Sequence, residues 1–392
     1  MKIAILTQPL IQNYGGILQC YALQTILQNM GHEVVVLNRI KSIRLKQLIL
    51  QIGSFTKSII KKYILKRKDI NIVNPLSAYY NEKLNTPIHL KTINNSVSAF
   101  IKQKIKISEA ICLSRQLNRY YSKEKFDILI VGSDQVWREM YSPCITDYFL
   151  GFLSNKDKTK KIAYAASFGT SENPISYEGI KLCKKHINKF DAISTREISG
   201  IKLVKELFNK DASLVLDPTL LLSAEDYIQL IKEDDSVSEI PHDTLTTYIL
   251  DWSHKKKKCI DGIAAELKLL SRNDIYPDDS SSYSFRMKSI PQWLASFRNA
   301  RYVITDSFHG CVFSIIFRKD FAVIINNERG SDRFTSLLRI LELEDRIISV
   351  DDKESIMPVL TTPIAYANVE RKIEDMGNVS LSFLNRYINE SN

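Results

Sequence analysis

The sequence predicts an α/β protein in which two Rossmann-like domains face each other across a cleft. Short apolar runs alternate with helical patterns in both halves of the chain, as in parallel sheets covered by helices. The chain has 392 residues, which is more than one ordinary hydrophobic core holds. A polar stretch, IKEDDSVSEIPHD at 231–243, separates the two alternating series and is predicted to be the loop between the domains.

The first forty residues form the clearest unit of this pattern. A short buried strand at 2–7 precedes a loop at 8–16, and a helix at 17–31 ends at a glycine. A second apolar strand follows at 33–38. This strand–helix–strand order predicts a parallel sheet with helices on its faces.

The alternation resumes after an insertion and runs through both halves. The first half continues with strands at 126–132, 161–167, 191–196 and 212–217, and helices near 176–189 and 198–208. The second half contains strands at 244–250, 301–305 and 321–325, and helices near 258–270, 291–299 and 311–317. The predicted units are an N-terminal domain at 1–222 with a basic helical insertion at about 41–115, a C-terminal domain at 223–360, and a helical tail at 361–392.

Composition restricts the class of protein. The formal net charge of +10 indicates anionic partners. No apolar run reaches the length of a membrane-spanning helix, and the apolar start of the chain is too short for a signal peptide. The six cysteines are scattered and form no Cys-x-x-Cys pair, which predicts a reduced, cytoplasmic protein without a cysteine-built zinc site. No other metal-ligand spacing is convincing, so we assign no metal.

The positive charge is concentrated at residues 41–68, which contain nine Lys or Arg and no Asp or Glu. Leucines and isoleucines recur there at roughly helical spacing, a pattern that suits the surface of a membrane with anionic lipids. The alternative is a helical insertion packed on the domain with a solvated basic face. Nucleic acid is not expected as a partner, because aromatic residues are few and no reader motif follows.

Ligands of parallel sheets bind beyond the carboxyl ends of the strands, so the loops that follow strands are the candidate positions for a site. The motif NYGG comprises Asn13, Tyr14, Gly15 and Gly16, and it precedes a helix. Its glycines allow close backbone approach, and helix amides there can bind an anion or a sugar hydroxyl. The alternative is a tight turn without a ligand.

A second loop, VGSDQVW at 131–137, follows a strong strand. Asp134 is predicted to orient or deprotonate a hydroxyl. Gln135 and Trp137 are predicted to contact a sugar, with the indole as a stacking surface. The alternative is an Asp that caps the backbone and a Trp in the core.

Two further loops carry candidates for charge and proton transfer. Arg196 ends a strand in STRE, where a guanidinium suits a carboxylate or phosphate. The alternative is an ion pair with Glu197 or Asp217. His309 in TDSFHG lies between a strand and an apolar helix, so it is predicted in the first turn, beside unpaired amides and the positive end of the helix dipole. Such a histidine is either structural or a proton donor.

Together these stretches resemble the polysaccharide pyruvyl transferase family. The resemblance covers roughly residues 1–345 and rests on six motifs in the family's order: NYGGILQCYALQTIL, DILIVGSDQVW, YAASFG, STREISG, LVLDPTLLL and ITDSFHGCVFSIIF. It implies a GT-B-like fold and transfer of the enolpyruvyl carbons of phosphoenolpyruvate to a sugar. The usual product is a pyruvate ketal, formed with release of phosphate. The histidine of the His-Gly motif, here His309, is implied to be the general acid.

The chain departs from well-known members at two positions. Those members read Arg-x-His-Gly, whereas Ser307 replaces the arginine here, and Gly169 or its neighbour stands where they have another histidine. The resemblance therefore implies donor contacts from Arg196 and from residues around the motif, with two arginines of the loop NNERGSDRF as replacements. The predicted donor-binding set is Arg196, Ser307, Phe308, Gly310, Arg329 and Arg333.

The predicted function is that of a cytoplasmic pyruvyl transferase, stationed at the inner face of the membrane, that acts on repeat units of a bacterial surface polysaccharide such as a capsule. Phosphoenolpyruvate is its co-substrate, no further cofactor is expected, and the acceptor is a saccharide, expected to be lipid-linked. His309 and Asp134 are the predicted catalytic residues. The alternatives are a GT-B glycosyltransferase that uses a nucleotide sugar, and a non-catalytic, membrane-associated assembly subunit.

Overall fold

The computed structural model describes most of the chain, namely residues 1–11, 13–41, 88–273, 288–325, 332–351 and 353–389. The described residues form two parallel β-sheets, one in each half of the chain. Most of the basic segment 41–68 lies outside the described residues, as does Arg329. Among the residues that are described, no helix is both long and apolar enough to cross a membrane.

The first sheet has six strands in the order β2-β1-β3-β4-β5-β6. Its strands are β1 (Lys2–Leu6), β2 (Glu33–Val36), β3 (Ile128–Asp134), β4 (Lys160–Ala166), β5 (Ala192–Thr195) and β6 (Ser213–Leu214). All residues of β3 are buried, as expected for a parallel strand that is covered on both faces. The strand order reverses between β1 and β3, and such a reversal opens a crevice at the carboxyl ends of the strands.

Five helices accompany the first sheet in the described part of the chain. They are α1 (Tyr14–Asn29), α2 (Ile88–Lys104), α3 (Ser114–Glu124), α4 (Tyr177–Cys183) and α5 (Ile198–Phe208). Helix α1 begins three residues before the predicted start, because the Asn13 side chain accepts a hydrogen bond from the Gly16 amide and caps the helix there. The residues predicted as the end of a loop thus form the first turn of a helix.

The second sheet has five strands in the order β11-β10-β9-β7-β8. These strands are β7 (Thr244–Tyr248), β8 (Ser271–Asn273), β9 (Ala300–Thr305), β10 (Asp320–Ile324) and β11 (Ile347–Ile348). The order reverses between β7 and β9, which places a second crevice beyond the end of β9. The short edge strands β8 and β11 were not predicted, because neither is long enough to show a periodic pattern.

Six helices belong to the second half, and one more ends the described chain. They are α6 (Ala224–Lys232), α7 (His254–Leu267), α8 (Ile290–Asn299), α9 (Phe308–Ile316), α10 (Asp332–Leu341), α11 (Lys353–Thr361) and α12 (Tyr366–Asn389). Helix α12 returns to the first sheet, where the Leu216 amide donates a hydrogen bond of 2.8 Å to the Ser380 hydroxyl. The Phe383 ring packs against Tyr164 of β4. The tail therefore joins the two halves.

Candidate active site

His309 lies in the first turn of α9, as the sequence predicts. Ser307 caps this helix by accepting a hydrogen bond from the Gly310 amide. A Cβ on Gly310 would lie 2.1 Å from the Thr305 hydroxyl oxygen, so only glycine lets the helix start so close to the end of β9. The His309 side chain is buried, with 7% of its surface exposed. The end of β9 and the helix cap together place the imidazole beyond the carboxyl end of that strand.

The imidazole of His309 reaches across to the first half of the chain and packs against α1. A Cβ on Gly15 would lie 2.0 Å from His309 Nδ1 and 2.2 Å from its Cγ. Beside this contact, the Tyr14 hydroxyl donates a hydrogen bond of 2.7 Å to the Lys288 carbonyl. The crevices of the two sheets therefore meet at Gly15 and His309.

Asp134 comes to the same place from the end of β3. Its φ of 74° is uncommon for a residue other than glycine, and the Ser167 amide donates to its carbonyl at 3.0 Å. A Cβ on Gly16 would lie 3.3 Å from Asp134 Oδ2 and 2.9 Å from Asn13 Nδ2. The predicted residues Asn13, Gly15, Gly16, Asp134 and His309 thus converge.

A buried charge cluster surrounds the guanidinium of Arg196. Its Nη2 donates to Asp134 Oδ1 at 3.0 Å, and its Nη1 donates to Asp217 Oδ2. Its Nε lies 4.0 Å from Glu197 Oε2. All four residues are at most 5% exposed. Among the alternatives for Arg196, the structure therefore favours the ion pair with Asp217 over a direct contact to the donor.

Two guanidinium groups, those of Arg196 and Arg333, lie near the Phe308 ring. The Cζ atom of Arg196 lies 4.7 Å from the ring centroid, and that of Arg333 lies 5.7 Å from it, which are distances for cation–π attraction. Arg333 is buried in the first turn of α10. Burial and the charge of Arg196 lower the pKa of Arg333 to about 10. An anion bound near Arg333 would therefore favour the charged form of Arg333, whereas Arg196 is already paired with Asp134 and Asp217.

The same surroundings act on the imidazole. Burial is the largest effect on His309 and lowers its pKa to about 4, and the charges of Arg196 and Arg333 act in the same direction. Asp217 opposes them, because its Oδ2 lies 3.9 Å from His309 Nε2. His309 is therefore neutral at pH 7 in this state. An anion placed beside it would raise its pKa.

Three predicted acceptor contacts have other roles in this structure. Trp137 is fully buried, stacks on Phe149 and donates its indole N–H to the Tyr148 carbonyl. Tyr14 is buried against Trp293. The Gln135 side chain accepts a hydrogen bond from Arg138. Trp137 offers no free face to a sugar, so its predicted role was wrong, and the alternative of a core Trp is correct.

Asp217 was not among the predicted site residues. It follows β6, and its side chain accepts hydrogen bonds from the Thr219 amide and hydroxyl at 3.1 Å and 2.6 Å. The available signal was a carboxylate directly after an apolar strand, in LVLDPTLLL. Its proximity to His309 depends on how the two sheets face each other, which the sequence pattern does not contain.

We expect Arg196→Met to destabilise the protein by about 3–5 kcal/mol, because it leaves the buried carboxylates of Asp134 and Asp217 without their cation. Urea denaturation would measure the change. Arg301→Met is the matched control, since Arg301 and Asp243 form an exposed pair at 3.8 Å. Arg301→Met is expected to change the stability little. Equal stability of Arg196→Met and wild type would show that these buried ion pairs do not stabilise the first half of the chain.

The two facing sheets and the site between them define a protein of the GT-B type. Solved structures with this fold include the UDP-GlcNAc 2-epimerase of Neisseria meningitidis, with a TM-score of 0.53, 10% identity and 100% of both chains covered. For the enzyme of the same name from Methanocaldococcus jannaschii, the TM-score is 0.52 and the identity 13%, with 96% of this chain and 100% of that chain covered. For a glycosyltransferase from Rickettsia africae, the TM-score is 0.50 and the identity 9%, with 100% of this chain and 99% of that chain covered.

At these low identities the structural neighbours establish the fold alone. The family follows from the sequence: the chain belongs to the polysaccharide pyruvyl transferases, whose family model matches residues 13–328. The match includes the loops of α1, β3, β5 and α9 that form the site. No curated protein matches the chain.

Proposed function

We propose that the protein transfers the enolpyruvyl carbons of phosphoenolpyruvate to a saccharide and forms a pyruvate ketal, with His309 as the general acid. The observation that carries the proposal is the position of His309, which lies at a helix start and contacts Gly15 across the meeting point of the two sheets. An acid at this point can reach phosphoenolpyruvate bound by one half and a saccharide bound by the other half.

The proposed chemistry needs an acid near the methylene carbon of phosphoenolpyruvate. Protonation there makes C2 an oxocarbenium-like electrophile, which a sugar hydroxyl can attack. Imidazolium is a suitable acid near neutral pH. Because His309 is neutral without a ligand, we propose that the negative charges of the donor raise its pKa when they bind.

The anionic groups of the donor need fixed cations. We propose Arg333 for this role, because burial and a neighbouring guanidinium already disfavour its charge and an anion would relieve this. Ser307, Phe308 and Gly310 place the first turn of α9 beside the same space. Arg329 remains a proposed donor contact and lies outside the described residues.

Asp134 is the proposed base for the acceptor hydroxyl. Its Oδ1 accepts from Arg196, whereas its Oδ2 faces the first turn of α1 at Gly16. The Asn13 side chain lies beside the same glycine. We therefore place the acceptor against Asn13, Gly15 and Gly16, on the side of the first sheet.

Incubation with phosphoenolpyruvate and a panel of galactose, mannose and N-acetylhexosamine acceptors tests the proposal. We expect equal amounts of inorganic phosphate and of a product whose NMR spectrum contains a ketal methyl signal. A parallel panel of nucleotide sugars tests the glycosyltransferase alternative. Release of nucleotide in that panel, without phosphate release in the first, would replace the proposed function.

We also propose that the acceptor is lipid-linked and that the basic segment 41–68 brings the enzyme to the inner face of the membrane. Its nine cationic residues and apolar stripe support this proposal. Each Lys or Arg near an anionic surface contributes about 1 kcal/mol, and salt screens the attraction. We expect sedimentation with anionic liposomes and release by high salt. Binding to neutral liposomes alone, or none at all, would contradict the proposal.

A further inference from the structure

We propose that Asp217 is the positioning residue of His309, and that it holds a proton on Nε2 so that Nδ1 delivers the catalytic proton beside Gly15. This inference rests on the proposed function for its kinetic part. Its structural part, the state of the imidazole ring, can be tested without any reaction.

The two ring nitrogens of His309 have different surroundings. Nε2 is buried, has no hydrogen-bond partner among the described residues, and lies 3.9 Å from Asp217 Oδ2. Nδ1 is the ring nitrogen that faces the first turn of α1, where a Cβ on Gly15 would lie 2.0 Å away. One nitrogen therefore faces a carboxylate, and the other faces the proposed acceptor side.

Several hydrogen bonds hold the Asp217 carboxylate in place. The Thr219 amide and hydroxyl donate to its Oδ1, and Arg196 donates to its Oδ2. Burial alone would raise the pKa of Asp217, but the charge of Arg196 and the hydrogen bonds from Thr219 keep it below the usual value. Asp217 is therefore ionised, and its charge favours an N–H on the ring nitrogen that faces it.

The other charged groups that face His309 do not replace Asp217. Arg196 and Arg333 are cations and oppose protonation of the ring. Asp134 favours protonation, but its effect is smaller than that of Asp217. Asp217 is therefore the main counter-ion of the imidazolium form.

The proton transfer then follows from the two nitrogens. The Nδ1–H bond of the imidazolium breaks as the π electrons of the enol double bond form a C–H bond at the methylene carbon. The first hydroxyl oxygen adds to C2, phosphate leaves with the electrons of its C–O bond, and the second hydroxyl oxygen takes its place. Of the two hydroxyl protons, one passes through the proposed base Asp134 and restores the imidazolium, and one leaves with the phosphate. Between the protonation of the methylene carbon and the return of a hydroxyl proton, His309 is the neutral Nε2–H tautomer, which Asp217 stabilises.

The first test is ¹⁵N NMR of the imidazole in the free protein at pH 7.5, with His309→Gln used to assign the signal among the six histidines. We expect the wild type to carry its proton on Nε2. Asp217→Asn should produce a mixture of tautomers, because an amide both donates and accepts. A wild-type ring protonated on Nδ1 overturns the proposal, even if the Asp217 variant does not fold.

The second test is the pH dependence of kcat for the wild type and Asp217→Asn. Loss of the Asp217 charge lowers the pKa of His309, so the fall of kcat at alkaline pH should move to lower pH by at least about one unit. Asp211→Asn is the matched control, because the Asp211 side chain is 93% exposed. A lower kcat with an unmoved profile would make Asp217 merely structural. Absence of any transfer by the wild type would instead overturn the proposed function and leave the NMR result standing.

Discussion

Replacement of His309 by Gln is expected to reduce transfer from phosphoenolpyruvate by about 10²–10⁴-fold or more, the usual contribution of a general acid. Glutamine is close to histidine in size and polarity, so it keeps the packing beside Gly15 but cannot donate a proton as an acid. Single-turnover measurement of phosphate release at saturating donor would show the loss. Transfer at the wild-type rate would exclude His309 as the acid.

The pH dependence of stability provides a folding control for the His309→Gln variant. The pKa of His309 is lowered to about 4 in the folded protein, from an ordinary value of 6.5. As the pH falls from about 6.5 to about 4, the unfolded chain gains a proton that the folded chain does not, so wild type loses stability in this window. The loss amounts to about 3 kcal/mol. His309→Gln should lack this part of the acid sensitivity while remaining folded at pH 7.

The sequence was sufficient to predict the parts of the site that local chemistry determines. The apolar runs before Asp134 and His309 form the strands β3 and β9. The loop after β9 leads directly into α9, so His309 lies in the first turn of that helix. These features depend only on residues close in the chain. The two parallel sheets follow from the same alternation, because parallel strands need helical crossovers, whereas the GT-B-like fold was implied by the family resemblance.

The partners of each side chain could not be predicted in the same way. Arg196 pairs with Asp134 and Asp217, which lie 62 and 21 residues away in the chain. The Tyr14 hydroxyl donates to a carbonyl 274 residues away. A strand order and the way in which two sheets face each other determine these pairs. Trp137 illustrates the same limit, since burial of its indole depends on packing from elements distant in the sequence.

Gly15→Ala is expected to reduce transfer by about 10²-fold, although it changes neither the acid nor the proposed base. The added methyl carbon would lie 2.0 Å from His309 Nδ1 and 2.7 Å from its Cβ. Rotation of the ring would not relieve the contact with Cβ, because Gly310 fixes the start of α9, and with it this Cβ, against Thr305. The two halves must therefore separate or the ring must shift, and a misplacement of about 1 Å can cost roughly 10²-fold in rate.

Gly262→Ala provides the matched control for this prediction. Gly262 lies within α7, and a Cβ there would meet no atom within 4 Å. Alanine should stabilise that exposed helix position by about 1 kcal/mol and leave transfer unchanged. Urea denaturation and steady-state kinetics of both variants would separate a local loss of catalysis from a change in stability. Wild-type activity in Gly15→Ala would mean that the contact between Gly15 and His309 is not maintained during the reaction, and the proton would then have to reach the donor from a more open arrangement of the two sheets.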